Sequence, residues 1–140
     1  MCNMKEQVIA LVAAFNSNGE VLLLKRPDDV HQGGLWSFPG GKVEGDEMPL
    51  DCAVRELKEE TGLSGKLWRH LGKASHQYDD RKLHFLMFVC YCSNISTLNT
   101  ESTHAWAKRG QLDDYPMPEA NAKLLPMLSI PEMDEYLNSL

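Results

Sequence analysis

The 140 residues, 43% hydrophobic and 24% charged, have the size and balance of a single soluble globular domain over 1–140, long enough to bury a core. A net charge of −6 argues against a broad basic surface for a nucleic acid polymer, but a small polyphosphate could still bind if a cation bridged it to acidic side chains. The opening MCNMKEQ carries charge before an apolar run, Val8 to Phe15, that is far too short to span a membrane, so no signal peptide, no membrane partner and a cytoplasmic location are expected.

In chain order, Gln7 to Phe15 is a continuous apolar run with Val and Ile and reads as a buried strand. Asn16-Ser17-Asn18-Gly19 is a turn, and Glu20 to Lys25 resumes a strand, giving a hairpin. Arg26 to Gly34 is a polar loop in which Arg26 and His31 are candidates for substrate contact. Leu35-Trp36-Ser37-Phe38 forms a short strand running into the glycines Gly40 and Gly41.

Residues 49 to 61 carry helix signals at both ends. Pro49 suits the first helical position, Asp51 complements the dipole in the first turn, and Gly62 is a left-handed stop. At about 100° per residue, Leu50, Ala53, Val54 and Leu57 share one side, which is expected to pack, and Glu56, Glu59 and Glu60 share an arc beside them. Three carboxylates on one arc repel one another unless they spread into solvent or a cation neutralises them, and hard divalent cations take oxygen ligands of this kind.

Farther on, Lys66 to Gln77 alternates loosely, Tyr78 to Arg81 is a turn, and Lys82 to Cys92 is a strong strand. Asn94 to Thr100 is polar, and a short strand is expected around Trp106, followed by a loop through Gln111, Pro116 and Pro118. Glu119 to Leu128 reads as a second helix that Pro126 shortens or kinks, and the tail from Pro131 adds a helical turn or two. The cysteines Cys2, Cys52, Cys90 and Cys92 form no CxxC pair and are read as reduced, with Cys90 and Cys92 as core thiols. The five histidines lack a zinc spacing. Strands around a central helix with another helix near the end give an α+β domain.

The spacing Gly41, five residues, Glu47, seven residues, then Arg55-Glu56-Leu57-Lys58-Glu59-Glu60-Thr61-Gly62-Leu63 resembles the box of the Nudix hydrolase family at every defined position. The resemblance covers about Val8 to Leu128 and implies the Nudix fold, a curved mixed β-sheet sandwiched between α-helices. It also implies metal binding by Glu56, Glu59, Glu60 and the Gly40 carbonyl, with Mg²⁺ as cofactor and Mn²⁺ as the alternative, and an ion pair between Glu47 and Arg55 that ties loop to helix. The general base is expected to be Glu56 or Glu101, the latter in a loop shortly before Trp106, with His104 as a further alternative. Lys42, beside the glycines, is a candidate point charge for a phosphate.

Beyond the box, VHQGGLWSFPGGK, YDDR and DDYPMPEAN resemble the MutT branch of that family, which removes 8-oxo-dGTP from the nucleotide pool. By that resemblance Asn121 would bond the purine edge, Tyr78 and Arg81 would line the base pocket, and Arg26 and Phe38 would lie near the nucleotide. From the residues alone, Asn121 could equally cap the last helix. The chain departs from the branch in three places: it is longer between DDYP and Ala120-Asn121, shorter from Trp106 to Asp113, and has Ala105 in place of an acid. The activity implied is pyrophosphohydrolysis of a small nucleoside polyphosphate by a monomer or homodimer. The alternatives are another Nudix substrate, such as a (d)NTP, a dinucleoside polyphosphate or a nucleotide sugar, and a non-catalytic nucleotide-sensing module.

Overall fold

The computed structural model describes residues 5–29 and 33–140; Cys2 and His31 fall outside them. The first strand, β1 (Lys5–Phe15), turns through Asn16, whose Oδ1 accepts from the N–H groups of Asn18 and Glu20, both at 3.0 Å, while Gly19 takes φ 72°. That local chemistry delivers β2 (Glu20–Lys25) back against β1, the expected hairpin. Short strands β3 (Trp36–Ser37) and β4 (Gly40–Lys42) follow, then α1 (Pro49–Thr61), β5 (Lys66–Gln77), β6 (Arg81–Tyr91) and β7 (His104–Lys108). Two short helices, α2 (Glu119–Ala122) and α3 (Pro131–Asn138), close the chain.

Among the described residues the strands form one seven-stranded mixed sheet with path β3-β2-β1-β6-β5, with β4 pairing β1 and β7 pairing β2. Among the described residues only β1 and β6 run parallel, in unbroken register from Lys5↔Arg81 to Phe15↔Tyr91, and every other pair is antiparallel. β1 is the central strand and is covered on both faces, which is why its sequence is a continuous apolar run and not an alternation. Ala10, Val12 and Ala14 point to the α1 side, with Leu22, Leu57, Phe88 and Cys90. Leu11, Ala13 and Phe15 point to the other side, with Phe85, Met87, Leu124, Leu128 and Met133. The α+β class expected from the residues, and the sheet between helices that the resemblance implies, are the architecture observed.

Several boundaries differ from expectation for identifiable reasons. The glycine stretch is not all loop: Gly40–Lys42 pairs with Ile9–Leu11, bringing two side-chain-free residues against the sheet. The helix expected over 119–128 is only Glu119–Ala122, followed by a 3₁₀ turn Leu125–Ser129 around Pro126, which cannot donate to an α-helical ladder. The tail forms a helix of eight residues, anchored by buried Met133 and Tyr136. The weak alternation of 66–77 is a twelve-residue strand broken by register shifts.

The packing face of α1 needs a correction. Ala53 and Leu57 are fully buried as expected, but Leu50 and Val54 remain 41% and 43% exposed, and Cys52 and Thr61 are buried instead. The glycine strand causes the shift, because it lies over the opposite flank of the helix and brings the Gly41 and Lys42 carbonyls within 3.5 and 3.4 Å of the Cys52 thiol. Gly62, at φ 74°, ends α1 with its N–H on the Lys58 carbonyl at 2.9 Å.

Candidate active site

The glycines decide how closely the loop approaches the helix. Gly40 sits at φ 154°, and a Cβ there would collide with the Ala10 carbonyl. At Gly41 a Cβ would fall 2.7 Å from the Glu56 carboxylate. With no side chain at either position, the Gly40 N–H reaches Glu60 Oε2 at 2.8 Å, across twenty residues of sequence.

Arg55 organises the remaining acids. It makes a two-point contact with Glu47, Nε to Oε2 at 2.7 Å and Nη2 to Oε1 at 3.0 Å, and its Nη1 also donates to Glu56 at 2.9 Å and to Glu59 at 3.2 Å. The brace between Glu47 in the entry loop and Arg55 on the helix is present as expected, and Arg55 additionally neutralises two acids of the arc. The hydrogen bond from Arg55 holds the Glu47 carboxyl down at about 2, and Arg55 itself is pushed up by the same bond.

Glu60 behaves differently. Burial raises its pKa to about 7, the Gly40 N–H opposes that rise, and the neighbouring charges of Glu56 and Glu59 add to it. A carboxylate this strained in the ionised form gains most from a cation placed beside it. The arc supplies oxygen donors and no imidazole or thiolate, which suits Mg²⁺ or Mn²⁺. Among the described residues no three metal-ligating side chains converge on one point, since Arg55 draws Glu56 and Glu59 to itself while Glu60 is held at Gly40. The donor set fits a hard divalent cation, and coordination would have to draw these carboxylates away from the partners they now hold.

A cleft of about 280 Å³ joins Gly40, Gly41 and Glu60 to Arg26, Phe38, Lys42 and Asn121. A second cavity of about 290 Å³ shares Arg26, Lys42 and Asn121 with it and extends to Tyr78 and Arg81. The residues expected from the resemblance to contact substrate therefore line these two adjoining cavities; His31, a candidate from the polar loop, lies outside the described residues. Phe38 is buried and belongs to the core as well as to the cleft wall. Tyr78 and Arg81 close their turn through a backbone bond of 2.7 Å from Tyr78 N–H to the Arg81 carbonyl, and the guanidinium stacks 5.1 Å over the Tyr78 ring. Asn121 is not a cap: Pro118 holds that position, and Asn121 lies inside α2, 7% exposed, its Oδ1 buried without a partner. Glu101 is exposed on a loop and lines a cavity with Glu59 and Glu60, whereas Glu56 is turned toward Arg55. His104 starts β7 opposite Leu24 and is exposed.

Gln7, in the same cavity as Tyr78, Arg81 and Asn121, is one residue that sequence reasoning passed over. Its signal was available as a polar residue on the odd positions of β1, followed by Ile9, Leu11, Ala13 and Phe15.

Comparison with known proteins agrees with this geometry. The family model of the NUDIX domain matches residues 5–128. A CTP pyrophosphohydrolase of Escherichia coli is 32% identical over 123 residues, covering 85% of this chain and 90% of the relative. An 8-oxo-dGTP diphosphatase of the same organism is 35% identical over 112 residues, covering 80% and 81%. The solution structure of the E. coli ORF135 protein superposes with a TM-score of 0.78 at 28% identity, covering 91% of each chain. The crystal structure of a MutT protein from Methanosarcina mazei gives the same TM-score at 21% identity and supports the fold alone. On the match over 5–128 and on a box whose braces and acids fall where the sequence puts them, the chain belongs to the Nudix family of hydrolases, which act on phosphoric anhydrides.

Proposed function

We propose that this protein is a divalent-metal-dependent nucleoside triphosphate pyrophosphohydrolase of the MutT type, converting 8-oxo-dGTP to 8-oxo-dGMP and pyrophosphate. The observation that carries the reading is the cleft that Gly40, Glu60 and Asn121 line together, with the Asn121 Oδ1 buried without a partner. An amide offers a donor and an acceptor to a purine edge, and a buried acceptor without a partner gains a bond when a base supplies the donor.

Glu56, Glu59, Glu60 and the Gly40 carbonyl would hold Mg²⁺ or Mn²⁺, which would supply charge neutralisation at the phosphates and a more acidic water. The chain's own groups do the rest. Lys42 and Arg26, on the cleft wall, set the polyphosphate by charge. Glu101, lining a cavity with Glu59 and Glu60, or Glu56 takes the proton from water as its oxygen bonds to the β phosphorus. The bond from that phosphorus to the bridging oxygen breaks, and the nucleoside monophosphate leaves with the bridge.

The relative named as a CTP pyrophosphohydrolase keeps a second reading in play, hydrolysis of another (d)NTP, because it aligns over more of this chain than the 8-oxo-dGTP diphosphatase does. A substrate panel of 8-oxo-dGTP, dGTP, CTP, a dinucleoside polyphosphate and a nucleotide sugar separates the readings by kcat/KM. Equal values for dGTP and 8-oxo-dGTP would sink the sanitising role. Glu59→Gln is expected to remove most Mg²⁺-supported turnover, and near-wild-type turnover in that variant would mean the metal assignment is wrong. A protein that binds nucleotide and turns over nothing on the panel would be a sensing module.

A further inference from the structure

Among the described residues, the buried side-chain polar atoms left without a hydrogen-bond partner are Gln7 Oε1 and Asn121 Oδ1, and both residues line the same cavity. Buried acceptors are nearly always satisfied in folded proteins, so two orphans on residues that line one cavity are the pattern expected of a site whose donors arrive with the ligand. They reach it from opposite layers. Gln7 lies on β1, in register with Leu83 of β6, on the sheet face that the apolar positions Ile9 and Leu11 continue. Asn121 comes down on that face from α2.

We propose that Gln7 is a specificity-determining residue, its Oε1 accepting from one N–H of the nucleobase while Asn121 Oδ1 accepts from an N–H on another edge. This rests on the reading of this cavity and the adjoining cleft as a nucleotide site, and it narrows the base to one with donors on two edges. An 8-oxopurine related to guanine meets the requirement, because oxidation at C8 places a proton on N7 in addition to the donors at N1 and the 2-amino group. Guanine itself presents N7 as an acceptor, so one of the two amide oxygens would face a lone pair. The discrimination then comes from a hydrogen bond that the 8-oxopurine completes and guanine does not, because both acceptors are already without a partner in the ligand-free protein. The Tyr78 ring and the Arg81 guanidinium above it give the base a flat boundary but no such choice.

The test is kcat/KM for wild type and Gln7→Leu on 8-oxo-dGTP, dGTP, dATP and dCTP, with Tm of each ligand-free protein. The wild-type values by themselves judge the substrate reading. Gln7 is judged by the ratio of variant to wild type within each substrate: a loss of about tenfold or more on 8-oxo-dGTP, carried by KM, against less than about threefold on dATP and dCTP, with no fall in Tm; an equal loss on dGTP assigns Gln7 to the N1 edge and a small one to the N7 edge. A uniform loss on all four substrates, or none, would overturn the proposal. If Gln7→Leu folds poorly, Gln7→Met, unbranched and of similar length, makes the same comparison. If wild type hydrolyses none of the four, titration of 8-oxo-dGMP and dGMP into both proteins tests Gln7 separately from catalysis. A weaker Kd of the variant for 8-oxo-dGMP, with dAMP titrated alongside and unchanged, is then the expected result, the change for dGMP reports which edge Gln7 meets, and no change for 8-oxo-dGMP, or an equal change for dAMP, overturns the role of Gln7.

Discussion

Removing one buried carboxylate should flatten the pH dependence of stability in the metal-free protein. Glu60 has a folded-state pKa of about 7 against an ordinary 4.5, raised by burial and by Glu56 and Glu59. Between those values the native state holds a proton that the unfolded chain has released, so stability falls as pH rises from 4.5 to about 7 and levels off above. This is the reverse of the usual carboxylate, whose depressed pKa favours the fold at higher pH. At about 1.4 kcal/mol per pH unit, the gap amounts to about 3 kcal/mol at full ionisation. Glu60→Gln keeps an oxygen for the Gly40 N–H and carries no charge, so it should unfold with a nearly pH-independent contribution at that site and exceed wild type in stability above pH 7. The assay is urea unfolding in EDTA at pH 5, 6, 7 and 8, and repetition with Mg²⁺ should recover much of the wild-type loss while changing the variant less. Parallel pH profiles for the two proteins in EDTA would refute the account, because the strain would then lie elsewhere.

The other predictions use the same structure. Leu57, fully buried between α1 and the sheet, should cost about 2–5 kcal/mol when cut to alanine, read as a lower urea midpoint with unchanged slope. Asn121→Leu removes an orphaned acceptor and should stabilise the ligand-free protein by about 1–2 kcal/mol while lowering kcat/KM on the preferred nucleotide; lower stability with unchanged base selectivity would deny Asn121 its role. Glu101→Gln and Glu56→Gln distinguish the candidate bases through pH–rate profiles, since the true base loses the acid limb of kcat when neutralised. Full activity of Glu101→Gln at every pH removes Glu101 from the mechanism.

Much of the box and its helix was readable before any fold. Pro49 and Gly62 bracket the helix through properties of single residues, a preset φ and a tolerated left-handed one, and the box spacing names the acids. The continuous run in β1 announced a strand buried on both faces because burial on both sides removes the need for polar alternation. Periodicity failed on the flanks of α1: Leu50 and Val54 look like core on a helical wheel, but which flank is covered depends on where the glycine strand lands, a tertiary fact.

By itself, then, the sequence determined the helix, its carboxylates and the family, since each rests on local geometry or on a fixed spacing along the chain, and the Glu47–Arg55 brace followed from the family resemblance. Only the tertiary structure decided that Arg55 also holds Glu56 and Glu59, that Glu60 is buried against Gly40, and that Gln7 and Asn121 share a cavity. The last pair lies 114 positions apart in the chain, and two amides that distant carry no joint signal until parallel pairing of β1 with β6 and the descent of α2 bring them to one face.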